Sequence, residues 1–212
     1  MLISDRDLLT FEPDLFRDVG FLALRLVNAT GSITSGKLNV SGADLAAVGV
    51  TAGHVVLHSG VPLEVTLRNS TTQLTVSLLR ASAVDPIIPP PNAATAPVVV
   101  FTFAPQIAAA HAGALLMLGL PAAGKGLPGE PDETAIVNPD DLKPLVALLA
   151  LSLVWSAAAA IHGAGSGAAA RAEHYRLRAS RERSTAIARL DVDGDWVADA
   201  ERRAGAAALM RG

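Results

Sequence analysis

Residues 138–161 read NPDDLKPLVALLALSLVWSAAAAI, and the rest of the chain is organised around this stretch. Asn138, Pro139, Asp140 and Asp141 are a helix start: a capping asparagine, a proline at the first helical position, and acids where the helix dipole favours them. The helix is expected to run to about Ile161, with Pro144 bending its first turn. No charged residue occurs from Pro144 to Ala170. The strongly apolar part, residues 145–161, spans about 25 Å at about 1.5 Å per residue, short of the ~30 Å hydrocarbon core of a bilayer. Six of its residues are alanine and two are serine, so insertion into lipid would be weak. The competing expectation is a helix apolar on all sides because it is buried on all sides. In a small subunit that burial is easiest inside an oligomer.

Working outward, residues 163–167 (GAGSG) end this helix, and a second is expected from about 168 to 190. An antiparallel hairpin turning near Gly165 sets Trp155 opposite Tyr175 and Leu151 opposite Ala179. The second helix is basic: Arg171, Arg176, Arg178, Arg181, Arg183 and Arg189 outnumber Glu173 and Glu182. A thin stripe of Ala172, Tyr175, Ala179 and Ala186 faces inward. A solvated or inter-subunit face suits these arginines better than phosphate contact, because no base-reading pattern accompanies them. Then comes DVDGDWVAD, residues 191–199, with carboxylates at Asp191, Asp193, Asp195 and Asp199. That spacing places side chains around one point as calcium loops do. Two departures weaken the match: the glycine comes two residues early, and Arg202 stands where a bidentate glutamate belongs, with Glu201 one residue short. The competing expectation is a solvated acidic turn that ends the basic helix.

Upstream the periodicity changes. Residues 4–18 suggest one or two short helices, with Ser4 as N-cap and Pro13 near the start of the second. From Phe21 onward the pattern alternates as strands do. Residues 54–58 and 61–68 form two strands joined by a tight turn at Ser59 and Gly60, and residues 73–80 form a third. Leu63, Val65 and Leu67, and then Leu74, Val76 and Leu78, alternate with polar partners and define one buried face. Residues 97–103 would close the sheet. Four to six short strands in about eighty residues suggest a small antiparallel barrel or sandwich. Residues 85–92 (DPIIPPPN) pair poorly, since proline lacks the N–H, and are expected to reach out of the barrel as a stiff extended loop. A third helical run, residues 106–120, carries Ile107, His111, Leu115, Leu116 and Leu118 on a rough stripe. The fold class is α+β: a helical hairpin or bundle core with an inserted small antiparallel β-barrel or sandwich. The expected divisions are residues 1–20, a helical segment; 21–104, the β domain with a proline-rich loop over 85–97; and 105–212, the helical core with its acidic loop.

Composition narrows function. Half of the 212 residues are hydrophobic, only 17% are charged, the net charge is −3 and cysteine is absent. No global charge points to nucleic acid, and thiolate chemistry and disulfides are excluded. The opening MLISDRDLL is not a secretory signal, because it carries acids and no apolar core. Seven charged residues lie between Leu26 and Gly129, namely Lys37, Asp44, Glu64, Arg68, Arg80, Asp85 and Lys125. Such a stretch suggests surface that is covered by something. Residues 119–126 (GLPAAGKG) approach a P-loop but lack the hydroxyl after Lys125 that reaches magnesium; Pro128 and Pro131 also oppose a following helix. His54, His58, His111, His162 and His174 form no ligand set, and no nucleophile–base motif occurs. The expectation is a protein that is not an enzyme.

The order of an apolar helix with an aromatic, a small-residue break, a helix with Ala172-Glu-His-Tyr175, and Leu190-Asp-Val-Asp-Gly-Asp195 resembles the C-terminal part of head–tail adaptor (connector) proteins of tailed bacteriophages. The likeness covers residues 138–200, and the start, Ser4-Asp-Arg-Asp-Leu-Leu with Glu12 and Pro13, is similar in style. The resemblance implies a virion structural protein, made in the host cytoplasm and forming a homo-oligomeric ring of about twelve copies. The ring would sit between the portal protein and the next neck or tail protein, with DNA passing non-specifically through it and no membrane involved. It implies no cofactor, apart from calcium at the aspartate loop. The alternatives are a small membrane-associated protein using the 145–161 helix, and a metal- or phosphate-dependent enzyme.

Overall fold

The computed structural model of the chain describes residues 2–127, 129–163 and 165–205. They fall into two compact units: Ser4–Ala104, and the residues from Pro105 onward together with residues 2–3. Met1, Pro128 just after the near-P-loop, Ala164 of the small-residue break and residues 206–212 lie outside the described residues.

In the first unit, α1 (Asp5–Phe11) is capped by the Asp7 carboxylate, which accepts from the Ser4 N–H at 2.8 Å and the Ser4 hydroxyl at 2.9 Å. After Pro13 comes α2 (Leu15–Asp18), whose Phe16 ring lies 5.0 Å from that of Phe103, tilted by 58°. Six strands follow: β1 (Leu24–Thr34), β2 (Lys37–Ser41), β3 (Val55–His58), β4 (Val61–Arg68), β5 (Gln73–Ser77) and β6 (Ala93–Thr102). All their pairings are antiparallel, and they close into a barrel in the order β1-β2-β5-β4-β3-β6. The open choice between barrel and sandwich thus resolves to a barrel, which leaves no free sheet edge along its closed part. Two hairpins turn on residue pairs of positive φ, Ser35-Gly36 and Ser59-Gly60, whose twist matches the strands they join. Gly31 permits the closest approach in the wall: a Cβ there would sit 2.5 Å from the Asn39 carbonyl oxygen.

Valines and leucines such as Val27, Leu38, Leu63, Leu74 and Val100 fill the barrel. The expected alternation fails at two points. A bulge between Val65 and Leu67 shifts the register and turns Leu67 outward, so the run Leu63, Val65, Leu67 does not share one face. Leu78 likewise lies beyond the end of β5 and is exposed.

Glu64, on the opposite side of the strand from Leu63 and Val65, is only 1% exposed. Arg6 Nε donates to its Oε2 at 2.8 Å, Arg80 Nε donates to its Oε1, and both arginines are buried. Arg6 also donates to the Arg80 carbonyl oxygen, and Arg80 to that of Asp85. This triad fastens α1 to the barrel wall and to the start of the proline-rich segment. That segment does not reach out of the barrel as expected. The Ile88 N–H, spared by the prolines around it, bonds Ser77 Oγ at 2.9 Å, and its carbonyl accepts from the Leu78 N–H at 2.9 Å. The segment therefore lies along the wall, and residues 93–97 already belong to β6.

In the second unit, α3 (Ala104–Leu118) buries Ile107, His111, Leu115 and Leu118, but Leu116 points outward. His111 Nε2 meets Glu133 Oε1 at 2.8 Å and ties the following loop to the helix. The long helix α4 (Pro139–His162) ends at Gly163, whose φ of 90° breaks the helical path. α5 (Gly167–Thr185) packs antiparallel to it and is capped by Ser166, whose Oγ accepts from the Ala169 N–H. α5 stops five residues earlier than expected. Its would-be last turn is β7 (Ile187–Leu190), paired antiparallel with β8 (Ala200–Arg203). The reason is tertiary: β7 lies against residues 135–138, with the Val137 N–H bonding the Arg189 carbonyl and the Asp191 N–H the Ala135 carbonyl. Asn138 supports the same contact. At the N-cap position of α4 its side chain serves β7, donating to the Ile187 carbonyl at 2.9 Å and accepting from the Arg189 N–H at 2.7 Å.

Candidate functional site

The aspartate loop joins β7 to β8 and is held by its own backbone. Asp191 accepts from the Gly194 N–H and the Trp196 N–H, both at 2.7 Å, and Asp195 from the Val197 N–H at 2.7 Å. Partial desolvation pushes the Asp191 carboxyl up, but the amides of Trp196, Gly194, Asp195 and Asp193 together hold it below its ordinary value. Oxygens of Asp191, Asp193 and Asp195 come within 4.8 Å of one another. Asp199 does not join them; its carboxylate accepts from the Val192 N–H at 3.0 Å. Glu201, one residue short of the twelfth position, faces Arg189 across the hairpin at 4.0 Å, and Arg202 takes that position. The sharp turn that calcium loops make at their sixth residue falls on Trp196, which has a φ of 65° although it is not glycine. Its side chain is 78% exposed, flanked by exposed Val192 and Val197.

The helical hairpin sets a second group of residues. Residues 145–151 of α4, except the half-buried Leu149, are buried within this one chain, so their burial needs no neighbour. Beyond them Leu153, Ser156, Ala157, Ala160 and Ile161 face outward. α4 is long and apolar enough to cross a membrane, with a mean hydropathy of 2.1, yet half of its most apolar window is buried inside the chain. Trp155 and Tyr175 are both buried, and the group over the Trp155 ring is the Arg171 guanidinium, 4.6 Å from its centre. Arg176 pairs with Glu173 at 2.7 Å, and the bond to Arg176 holds the Glu173 carboxyl below its usual range. Arg181 and Arg183 are exposed and have no carboxylate partner among the described residues. Arg189 belongs to β7, so α5 itself carries five arginines against two glutamates. A groove of about 160 Å³ opens beside Met117, Leu149, Ser152 and Ala179, bordered by Arg176 and Arg183.

The barrel unit contributes a cavity of about 380 Å³, with Ile33, Val61, Leu63, Pro90 and Pro91 in its walls. His58, at its edge, bonds the Gly31 carbonyl through Nε2 at 3.0 Å, while His54 caps Thr51 through Nδ1; the two histidines do not converge. The near-P-loop follows a helix and lies at the surface, its Gly124 N–H donating to Asp132 at 2.7 Å. An amide that a phosphate would need is therefore taken by a carboxylate.

Of the residues singled out from sequence, three aspartates are brought together and the fourth is not. What the sequence did not reveal is the Arg6–Glu64–Arg80 triad and the β7–β8 hairpin. The alternating Ile187-Ala-Arg-Leu190 was the available signal for the hairpin. Comparison with known protein families, with curated proteins and with solved structures gives no match.

Proposed function

We propose that the protein is a structural virion subunit, a head–tail adaptor of a tailed bacteriophage. It forms a homo-oligomeric ring between the portal protein and the next neck or tail protein, and DNA passes through the lumen. In this reading the helices make the ring body, the barrel is an insertion that meets neighbouring proteins, and the role is non-enzymatic. The observation that carries it is the surface of the barrel unit. Of the seven charged residues between Leu26 and Gly129, Glu64 and Arg80 lie buried in the triad. Phe21, Leu24, Val61, Leu67 and Val84 meanwhile face outward. Apolar, charge-poor surface of this extent is characteristic of a subunit covered by others. The resemblance of residues 138–200 to connector proteins supplies the particular assembly. Negative-stain imaging with mass measurement of assembled particles tests it. A ring is expected, and a stable monomer with no ring in any assembled particle overturns the reading.

A second reading has one observation in its favour, the length and hydropathy of α4. It places the protein at a membrane through that helix. It requires the buried half of α4 to leave its packing, and it fails if the protein stays soluble when prepared without detergent.

A further inference from the structure

Two exposed patches of the helical unit are opposite in charge, and neither has an oppositely charged side-chain partner among the described residues. One is the tip of the β7–β8 hairpin, where Asp193 and Asp195 are exposed beside Trp196, 78% exposed, and Val197. The other is the α5 face with the unpaired Arg181 and Arg183, next to the groove beside Met117, Leu149 and Ala179. The hairpin keeps them apart. Its base is at Gly205, whose N–H bonds the Met117 carbonyl and whose backbone lies against the Arg183 guanidinium. Its tip is four strand residues further on, about 13 Å at about 3.3 Å per residue. That exceeds the screening length of about 8 Å at physiological salt, so the tip barely neutralises Arg183 of the same chain.

We propose that the hairpin tip of one copy docks on the α5 arginine face of the next, with Trp196 in the groove and Asp193 and Asp195 against Arg181 and Arg183. This inference rests on the ring reading and names the interface that builds it. The chemistry matches on three counts. Carboxylates meet unpaired guanidiniums. An indole enters an aliphatic groove bordered by arginines, a setting that favours aromatic anchors. The two patches differ from each other, so the contact is head-to-tail, the kind that closes into rings. A left-handed backbone at Trp196 is uncommon for a bulky residue, and here it belongs to the turn that presents the indole at the tip.

The chain has no cysteine, which makes the contact testable by disulfide trapping. Ser180→Cys is placed in the groove and Val197→Cys at the tip, in the full chain, alone and together, in solution and in assembled particles. Oxidation of the double variant gives a ladder of dimers, trimers and larger species. Each single variant stops at dimer, with about tenfold less cross-linked product. Arg181→Glu with Arg183→Glu in the double-cysteine chain lowers the ladder by about tenfold, a shift of 1.4 kcal/mol, and adding Asp193→Arg with Asp195→Arg restores it. Far-UV circular dichroism checks that each variant is folded, and the restored pair excludes simple misfolding as the cause. A double variant that cross-links no better than the single ones, in particles where rings are seen, overturns this interface and leaves the ring reading standing. Absence of rings in every assembled particle, with no ladder, overturns both. A ladder without rings supports the contact and overturns the ring.

Discussion

Replacing Glu64 by alanine removes the anion that two buried arginines share. Glu64 is 1% exposed, Arg6 5% and Arg80 8%, so water cannot take over its role. What remains for Arg6 is Asp7 at 3.2 Å and a backbone carbonyl; what remains for Arg80 is the Asp85 carbonyl. Breaking a buried ion pair by deleting one partner costs about 3–5 kcal/mol. That is a large share of the roughly 5–15 kcal/mol that holds a domain folded. With a urea slope of about 1.5 kcal/mol per molar, the midpoint of the barrel unit falls by roughly 2–3 M. The choice of probe matters. Trp155, Trp196 and Tyr175, the chain's tryptophans and its tyrosine, all lie in the helical unit. Tryptophan fluorescence therefore follows that unit, and the barrel is followed by far-UV circular dichroism or by amide resonances of β4. The triple replacement Arg6→Met, Glu64→Leu, Arg80→Met removes all three charges of the triad, leaves the part-exposed Asp7 with its bonds to Ser4, and is expected to be close to neutral or stabilising. A loss below about 1 kcal/mol for Glu64→Ala refutes the view that this triad fastens α1 to the barrel.

Gly31→Ala places a methyl group 2.5 Å from the Asn39 carbonyl oxygen, and the strain lowers barrel stability by about 1–3 kcal/mol in a urea titration followed by circular dichroism. Asn138→Ala loses the bonds to the Ile187 carbonyl and the Arg189 N–H and destabilises the helical unit by about 1–3 kcal/mol, read by tryptophan fluorescence; an unchanged midpoint means the hairpin does not depend on it. Asp5 accepts from the Phe103 N–H at 2.7 Å, and burial raises its carboxyl above the usual 3.8 despite that bond. A raised folded-state value means the neutral form suits the folded state better. Wild type therefore gains stability relative to Asp5→Asn as pH falls from 7, with the gain complete below 3.8, and a gap that is flat or shrinks over this range contradicts the assignment. Asp191 runs the opposite way: its lowered value means its contribution is present above 3.8 and is lost as the pH falls further, so Asp191→Asn removes part of the acid sensitivity of the hairpin amides seen by hydrogen exchange.

The local features were legible where local chemistry decides them. Ser59-Gly60 announces a two-residue turn because both positions must adopt positive φ. Asn138-Pro139 announces a helix start, and the helix begins there. The misses share a different cause, a partner distant in sequence. Arg6 and Glu64 are separated by 58 positions, and nothing near either residue shows that they meet. The bulge at Val65 depends on the register β5 imposes, and only that register turns Leu67 outward. Residues 187–190 follow directly on the basic helical run in sequence, and become a strand because residues 135–138 and β8 offer them backbone partners. The proline-rich segment departs from its expected course for a related reason: one free N–H at Ile88 is enough to lay it along the wall.

These placements change what the apolar helix signifies. Read from sequence, its uniform apolarity called for a membrane or an oligomer. In the fold, residues 145–151 apart from the half-buried Leu149 are buried within the chain, so that portion demands neither. In the proposed assembly, the apolar surface open to a partner lies elsewhere: at Leu153 and Ile161 further along α4, at the outward Phe21, Leu24 and Val84 of the barrel unit, and at the Trp196 tip. With Glu64 and Arg80 withdrawn into the triad, the barrel has even fewer charges to solubilise its surface than the sequence count suggests. In the helical unit, the α5 face and the hairpin tip carry charges of opposite sign on one chain. Uncharged surfaces favour association without fixing its geometry, whereas opposed charged patches fix orientation and register. A chain carrying both has what a repeating assembly requires: area that favours being covered, and a pair of unlike patches that decides which copy covers it and how.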